Sequence, residues 1–251
     1  MSFVGETVWI IGASSGIGKA LAIELANQGA QLLLSARTEE KLKDLKEIVG
    51  DHHRIYPLDV SDAGQVKRTV EAIKASTPTL DRVLLFAAIY KPQPVKDIDV
   101  RFAEHLMQVN FMGALHVTEN ILPIFKEQGA GQLALCGSVA GYTGLPNGQP
   151  YSASKAAVIN FAESLKCEID QNIDIKLINP GFVETPMTDK NDFDMPMVIK
   201  PEEAAKSIAK GLKSKSFEIH FPKKFTYLIK MVSALPYWAK LPITKKFDKK
   251  S

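Results

Sequence analysis

The sequence predicts a doubly wound α/β domain: a seven-stranded parallel sheet with helices on both faces. Two observations carry this prediction. Short apolar, β-rich runs alternate with helix-length amphipathic stretches along most of the 251 residues, and repeated strand–helix units assemble into a parallel sheet through right-handed crossovers. No Pro/Gly/Ser-rich linker or break in composition divides the chain before about residue 221. Residues 1–221 therefore read as one domain and 222–251 as a helical extension.

Strands are expected at 7–11, 31–35, 54–58, 82–86, 131–136, 174–178 and 217–221. Helices are expected at 17–28, 39–49, 63–76, 98–128, 151–170 and 201–213. Ser61 precedes a polar first turn and is the expected start signal of the third helix. Pro201 followed by Glu202 and Glu203 suits the start of the sixth, where proline forfeits no hydrogen bond and carboxylates meet the positive end of the dipole. With 45% hydrophobic residues the chain can bury a substantial core, so it needs neither metal nor disulfide to fold. Cys136 reads as a small buried hydrophobe in an apolar strand, and with Cys167 it makes no disulfide framework. The five histidines are scattered, with no His/Cys cluster at metal-ligand spacing.

The net charge of +3 is unevenly spread, because residues 222–251 hold eight lysines and one aspartate. A mildly acidic body with a basic tail is not the charge pattern of a nucleic-acid binder. The N-terminus lacks the basic and apolar segments of a signal peptide, and no apolar run is long enough to span a bilayer, so a cytoplasmic protein is expected.

In a doubly wound sheet, ligands bind beyond the carboxyl ends of the strands. The first strand runs into Gly12-Ala13-Ser14-Ser15-Gly16-Ile17-Gly18 and then a helix. Glycines let the chain approach a ligand closely, and the helix N-terminus offers free N–H groups to a pyrophosphate, with Ser14 and Ser15 as further donors. Strand, glycine loop and helix in one βαβ unit point to a Rossmann-type dinucleotide site rather than a bare tight turn. The second strand ends Ser35-Ala36-Arg37-Thr38, without the acid that would hold a ribose 2′-hydroxyl. Arg37 can instead pair with a 2′-phosphate, so NADP(H) is the expected cofactor. After the third strand, Asp59 and Val60 suit the adenine, although Asp59 beside Ser61 equally suits a helix start.

Tyr151 and Lys155 lie four apart at the start of a predicted helix and so share a face. A neighbouring ammonium, together with a cationic nicotinamide, is expected to lower the phenol's pKa, fitting Tyr151 to exchange a proton with a carbonyl or alcohol oxygen. Ser138, at the end of the fifth strand, can donate to the same oxygen as charge develops.

Together with Asn110 and Asn179-Pro180-Gly181, these motifs resemble the short, single-domain branch of the short-chain dehydrogenase/reductase family over essentially 7–221. The resemblance implies an oxidoreductase moving hydride between nicotinamide and a ketone, aldehyde or alcohol. It implies that Asn110 holds a water completing a proton relay with Ser138, Tyr151 and Lys155, and that Lys155 holds the nicotinamide ribose. It places the segment from Pro180 and Gly181 against the nicotinamide, with Val183 binding its amide through the backbone, Thr185 near the phosphate and Ala87 on the cofactor wall. It also implies a homodimer or homotetramer. The chain departs from the pattern at Leu85-Phe86-Ala87-Ala88, where the family usually has Asn-Asn-Ala-Gly. That change removes two side-chain hydrogen bonds and a permissive glycine.

Residues 142–150 and 186–200 are freest to shape a substrate pocket. The second segment carries Met187, Phe193, Met195 and Met197 among charges (Asp189, Lys190, Asp192, Asp194), which suits an apolar, adaptable lid and a hydrophobic small-molecule substrate. For the apolar, basic tail three roles are open: covering this pocket, a subunit interface, or peripheral contact with an anionic membrane. The readings competing with a reductase are a non-catalytic NADPH-binding regulatory or scaffold protein, and epimerase or dehydratase chemistry.

Overall fold

The computed structural model describes residues 2–190 and 195–247; Asp192, Phe193 and Asp194 of the expected lid lie outside the described residues. The strands are β1 (Thr7–Ile11), β2 (Gln31–Ser35), β3 (Arg54–Ile55), β4 (Arg82–Leu85), β5 (Gly131–Cys136), β6 (Ile173–Pro180) and β7 (Glu218–Phe221). They form one sheet in the order β3-β2-β1-β4-β5-β6-β7, with every pairing parallel. From β1 the chain winds outward through β2 and β3, then returns to the other side of β1 to lay down β4. The reversal leaves a crevice beyond the carboxyl ends of β1 and β4, where such sheets bind ligands.

Side-chain alternation sends successive residues of β1 to opposite faces. Val8 and Ile10 join a core with α1 (Gly16–Asn27), α2 (Glu39–Val49) and α7 (Pro201–Leu212). Trp9 and Ile11 join a second core with α3 (Ala63–Ser76), α5 (Gly113–Gln128) and α6 (Tyr151–Glu168). The one polar atom on Trp9, its indole N–H, donates to Ser35 Oγ at 2.8 Å, so its burial leaves nothing unsatisfied. Two further helices follow β7: α8 (Lys223–Ala234) and α9 (Tyr237–Lys245).

Three boundaries differ from expectation for physical reasons. β3 is two residues rather than five because it is an edge strand and Pro57 has no N–H for the ladder. The chain still runs alongside β2 through Tyr56 N to Leu34 O (2.8 Å) and Leu58 N to Ala36 O (2.9 Å). The start of α3 is capped by Asp62, whose carboxylate accepts from Gln65 N at 2.9 Å, and not by Ser61. The single helix expected over 98–128 is instead α4 (Val100–Met107), a π-helical stretch (Gln108–Met112) and α5. Such one-turn bulges cluster at functional sites, and Asn110 sits in this one.

Candidate active site

The cleft begins at the glycine loop. Gly12 has φ +92°, and a Cβ there would lie 2.5 Å from the backbone N of Ala87, so only glycine lets β1 pass β4 this closely. A Cβ on Gly18 would lie 2.2 Å from Gly12 O, which ties the first turn of α1 against the loop. Ser15 is the N-cap residue of α1, but its side chain makes no capping bond. That omission forfeits about 1 kcal/mol. Burying Leu21 and Leu25 completely contributes roughly 1.5–3 kcal/mol each, so the helix is seated by its apolar face and its N–H groups stay available. Gly16, Ile17, Ser14 and Ser15 line the same cleft, a cavity of about 260 Å³. Thr185 faces the loop from across it, its methyl 3.0 Å from where a Gly16 Cβ would stand.

Beyond the loop, Arg37, Asp59 and Val60 line one end of the cleft. Burial pushes the Asp59 carboxyl up, but hydrogen bonds from Ser61 and the charge of Arg37 outweigh it and hold the group below its ordinary value. One carboxylate oxygen accepts from Ser61 N at 2.9 Å and from Ser61 Oγ at 2.6 Å. Asp59 thus organises the turn into α3 while lining the cleft, joining the two roles its position allows. The departure at 85–88 carries no strain. Phe86 N and Ala87 N both donate to Ile11 O, at 2.7 and 3.0 Å. Phe86 packs on the first core, and Ala88 is not among the non-glycine residues with positive φ.

Tyr151 and Lys155 project from the first turn of α6 into the other end of the cleft, beside Ser138. Ser138 Oγ accepts from Ala140 N at 3.1 Å, which fixes the oxygen, and the hydroxyl lies close enough to the Tyr151 phenol to favour its ionised form. Lys155 Nζ donates to the carbonyl of Cys136 at 2.8 Å and stands 5.6 Å from the Tyr151 ring centre. Cys136 is half-buried and lines the cleft, and burial pushes its thiol pKa up. Asn110 does not line the cleft. Its amide brackets Ile89, accepting from Ile89 N (2.8 Å) and donating to Ile89 O (3.0 Å), and it donates to Ser154 Oγ at 3.1 Å. The π-helical stretch therefore pins the chain after β4 to the first turn of α6.

Burial sets the electrostatics of this end of the cleft. It pushes the Tyr151 phenol well above the ordinary range, with neighbouring Cys136 pushing the same way and Ser138 only partly opposing them. Burial likewise pushes the Lys155 amine down. In the protein on its own, desolvation of both groups wins, and the ammonium is directed at a carbonyl; the cationic nicotinamide that joins the expected lowering belongs to the cofactor complex. Tyr151 is thus held in its acid form through neutral pH, the form needed to protonate a carbonyl oxygen.

The model of the short chain dehydrogenase family matches residues 6–195. The chain belongs to the short-chain dehydrogenase family. It is 30% identical over 235 residues to an uncharacterized oxidoreductase of Myxococcus xanthus, covering 92% of this chain and 93% of that one. A short chain dehydrogenase of Burkholderia cenocepacia in complex with NADP superposes with a TM-score of 0.84 at 22% identity, covering 99% of this chain and 100% of that one. A short-chain dehydrogenase/reductase of Burkholderia phymatum in complex with NAD gives 0.83 at 21% identity, over 92% and 93%. At those identities the two structures establish likeness of fold.

Within this short-chain dehydrogenase, Pro180 and Gly181 end β6 at the cleft, with Gly181 N tied to Phe221 O at 2.7 Å. Val183 follows, its carbonyl accepting from Thr188 Oγ1 at 2.7 Å. Several residues escaped the sequence reading. The Tyr90 ring meets Tyr151 edge-on at 4.9 Å, and Ser154 links Tyr151 O (2.7 Å) to Asn110. Ser154 lies three residues after Tyr151, and that spacing is a usable signal. Glu218 has no local signal at all. Its carboxylate accepts from the Tyr142 hydroxyl, from Asn179 Nδ2 at 2.8 Å and from Lys230. It thereby joins the loop after Ser138, the end of β6 and helix α8. On the inner side of α8, Phe225 and Ile229 pack with Val139, Tyr142 and Phe182. The tail's first helix therefore packs on the segment that follows Ser138.

Removing the Glu218 carboxylate strands a hydroxyl and an ammonium, so Glu218→Ala is expected to lower stability by roughly 1–3 kcal/mol, read as a fall in Tm. Burial pushes this carboxyl up, but hydrogen bonds from Lys230, Tyr142 and Asn179 hold it below its ordinary value. A depressed folded pKa gives stability that is present above the unfolded value, about 4.3, and lost as pH falls through the folded value. The Tm gap between wild type and variant should therefore narrow on acidification. An equal Tm at neutral pH would show that the network contributes nothing.

Proposed function

We propose that this protein is an NADPH-dependent carbonyl reductase or alcohol dehydrogenase acting on a hydrophobic ketone, aldehyde or secondary alcohol. The observation carrying this reading is one continuous cleft. At one end it is lined by an uncapped helix N-terminus, the Gly12–Gly18 loop and Arg37; at the other by Ser138, Tyr151 and Lys155. Gly12 and Gly18 leave room where a Cβ would collide with backbone, and Arg37 supplies a cation at the end of β2, so the residues present fit NADPH. Bound there, NADPH would supply the hydride.

The chain's own groups would handle the proton and the oxygen. Ser14, Ser15 and the first N–H groups of α1 would hold the pyrophosphate, with Thr185 closing over it. Asp59 and Val60 would border the adenine. Ala87, Pro180, Gly181 and Val183 would flank the nicotinamide, and Lys155 would hold its ribose. Ser138 would orient the substrate oxygen and Tyr151 would protonate it. Asn110 would act by positioning, since its amide fixes Ile89 and Ser154 around Tyr151. Ile89, Pro186 and Met187 on the cleft wall favour an apolar substrate.

The test is NADPH consumption over aldehydes and ketones of increasing size. Turnover that rises with apolar bulk is expected. Bound NADPH without turnover of any carbonyl would favour a non-catalytic NADPH-binding protein instead.

A further inference from the structure

Helix α8 is apolar on two sides, and only one of them is used. Phe225, Thr226, Ile229 and Val232 are buried against the body. On the opposite side Tyr227, Leu228, Met231 and Leu235 recur at helical spacing and are 55, 47, 67 and 36% exposed. α9 repeats the pattern, with Tyr237 73%, Trp238 81% and Leu241 58% exposed. A helix with apolar residues all round is ordinarily covered on all sides, and contiguous exposed apolar surface marks a contact. Charge selects the partner. Lys223, Lys224, Lys245 and Lys246 are exposed around these residues, and Lys240 stands over the Tyr237 ring at 4.7 Å. Among the described tail lysines, Lys230 is turned inward onto Glu218 and Lys240 also donates to Ser233 O at 3.2 Å. From 222 to 247 the sequence contains no acid.

We propose that the outer face of α8 and α9 docks on an anionic lipid surface. Exposed aromatics beside lysines suit the headgroup boundary, where rings sit at the interface and ammonium groups meet lipid phosphates. A second copy of this face fits poorly, because a twofold contact would set lysines against lysines with no carboxylate to answer them. No helix among the described residues is long and apolar enough to cross a membrane, so the contact is peripheral. Since Phe225 on the inner side of α8 packs 5.4 Å from Phe182, and with it against Val139 and Tyr142, docking would bring the segment that follows Ser138 near the lipid. That consequence, a substrate drawn from the bilayer, rests on the reductase reading; the docking itself does not.

The full chain carries two tryptophans, Trp9 fully buried and Trp238 81% exposed, so a change in fluorescence on adding vesicles reports Trp238. With phosphatidylcholine vesicles containing phosphatidylserine, the emission should shift to the blue and the protein should co-sediment. With phosphatidylcholine alone it should stay largely in solution. Lys223→Gln and Lys224→Gln should each weaken partitioning about fivefold. Met231→Glu should abolish it with Tm and NADPH binding unchanged, which separates failure of docking from failure of the fold or of the reductase reading. Wild-type protein that ignores anionic vesicles overturns the proposal, as does binding indifferent to Met231→Glu. A solution dimer that Met231→Glu splits, with no vesicle binding, would assign the face to a second copy and overturn it equally.

Discussion

Replacing Tyr151 with phenylalanine is expected to lower kcat for carbonyl reduction by about a hundred- to ten-thousandfold, the usual contribution of a positioned general acid. The substitution removes one oxygen and keeps the ring. The edge-on contact with Tyr90 at 4.9 Å therefore survives, as does the first turn of α6, so Tm and cofactor affinity should change little. KM should move much less than kcat, because protonation is needed most where the carbonyl oxygen becomes an alkoxide. The pH profile gives a second reading. Burial raises the phenol's pKa, so the acid form persists through neutral pH. The reduction rate should stay flat there and fall only on the alkaline side, as the phenol ionises. The reverse oxidation needs the phenolate and should rise over the same interval. A variant that reduced carbonyls at the wild-type rate would remove Tyr151 from the chemistry, whatever its position in the cleft.

The sheet was legible because its signal is local. β1 shows both cores in five residues, and the glycine loop, Ser138 and the Tyr151–Lys155 pair announce themselves by spacing from strand ends. What the sequence hid depends on contacts between distant residues or on a single backbone step. Apolar periodicity over 98–128 cannot reveal a π-helical stretch, which shifts the register without changing the pattern. The low helix propensity of Asn110 was the only trace of it. Glu218 lies 76 residues from Tyr142, and it takes the β5–β6 and β6–β7 pairings to bring them together. The electrostatics of Tyr151 are hidden for a related reason. Spacing gives the neighbour at i+4, but desolvation and the carbonyl of Cys136 belong to the folded cleft. The second apolar side of α8 was visible as composition and became informative only once Phe225 and Ile229 were seen to occupy the first.

Arg37→Asp is expected to change the ratio of NADPH to NADH affinity by about a hundredfold or more, the scale of one or two charge-assisted hydrogen bonds lost to a 2′-phosphate. The family does not settle this preference, since similar folds are known in complex with NADP and with NAD. Arg37 does distinguish the alternatives. It stands exposed just past the end of β2, lines the cleft, and makes none of the ion pairs found among the described residues. Its charge is felt at Asp59, which places it on the cleft side of the turn into α3. An aspartate there would repel a 2′-phosphate and could accept from a ribose 2′-hydroxyl, so NADPH should weaken sharply while NADH holds or gains. Salt separates this from a packing effect. The Debye length is about 10 Å at 0.1 M ionic strength, so the wild-type preference should erode as salt rises, while in the variant, where salt screens a repulsion, the ratio should move the opposite way. If the ratio were indifferent both to the substitution and to salt, Arg37 would be an ordinary solvated cation, and any selectivity would have to come from groups nearer the adenine, with Asp59 the first to exchange.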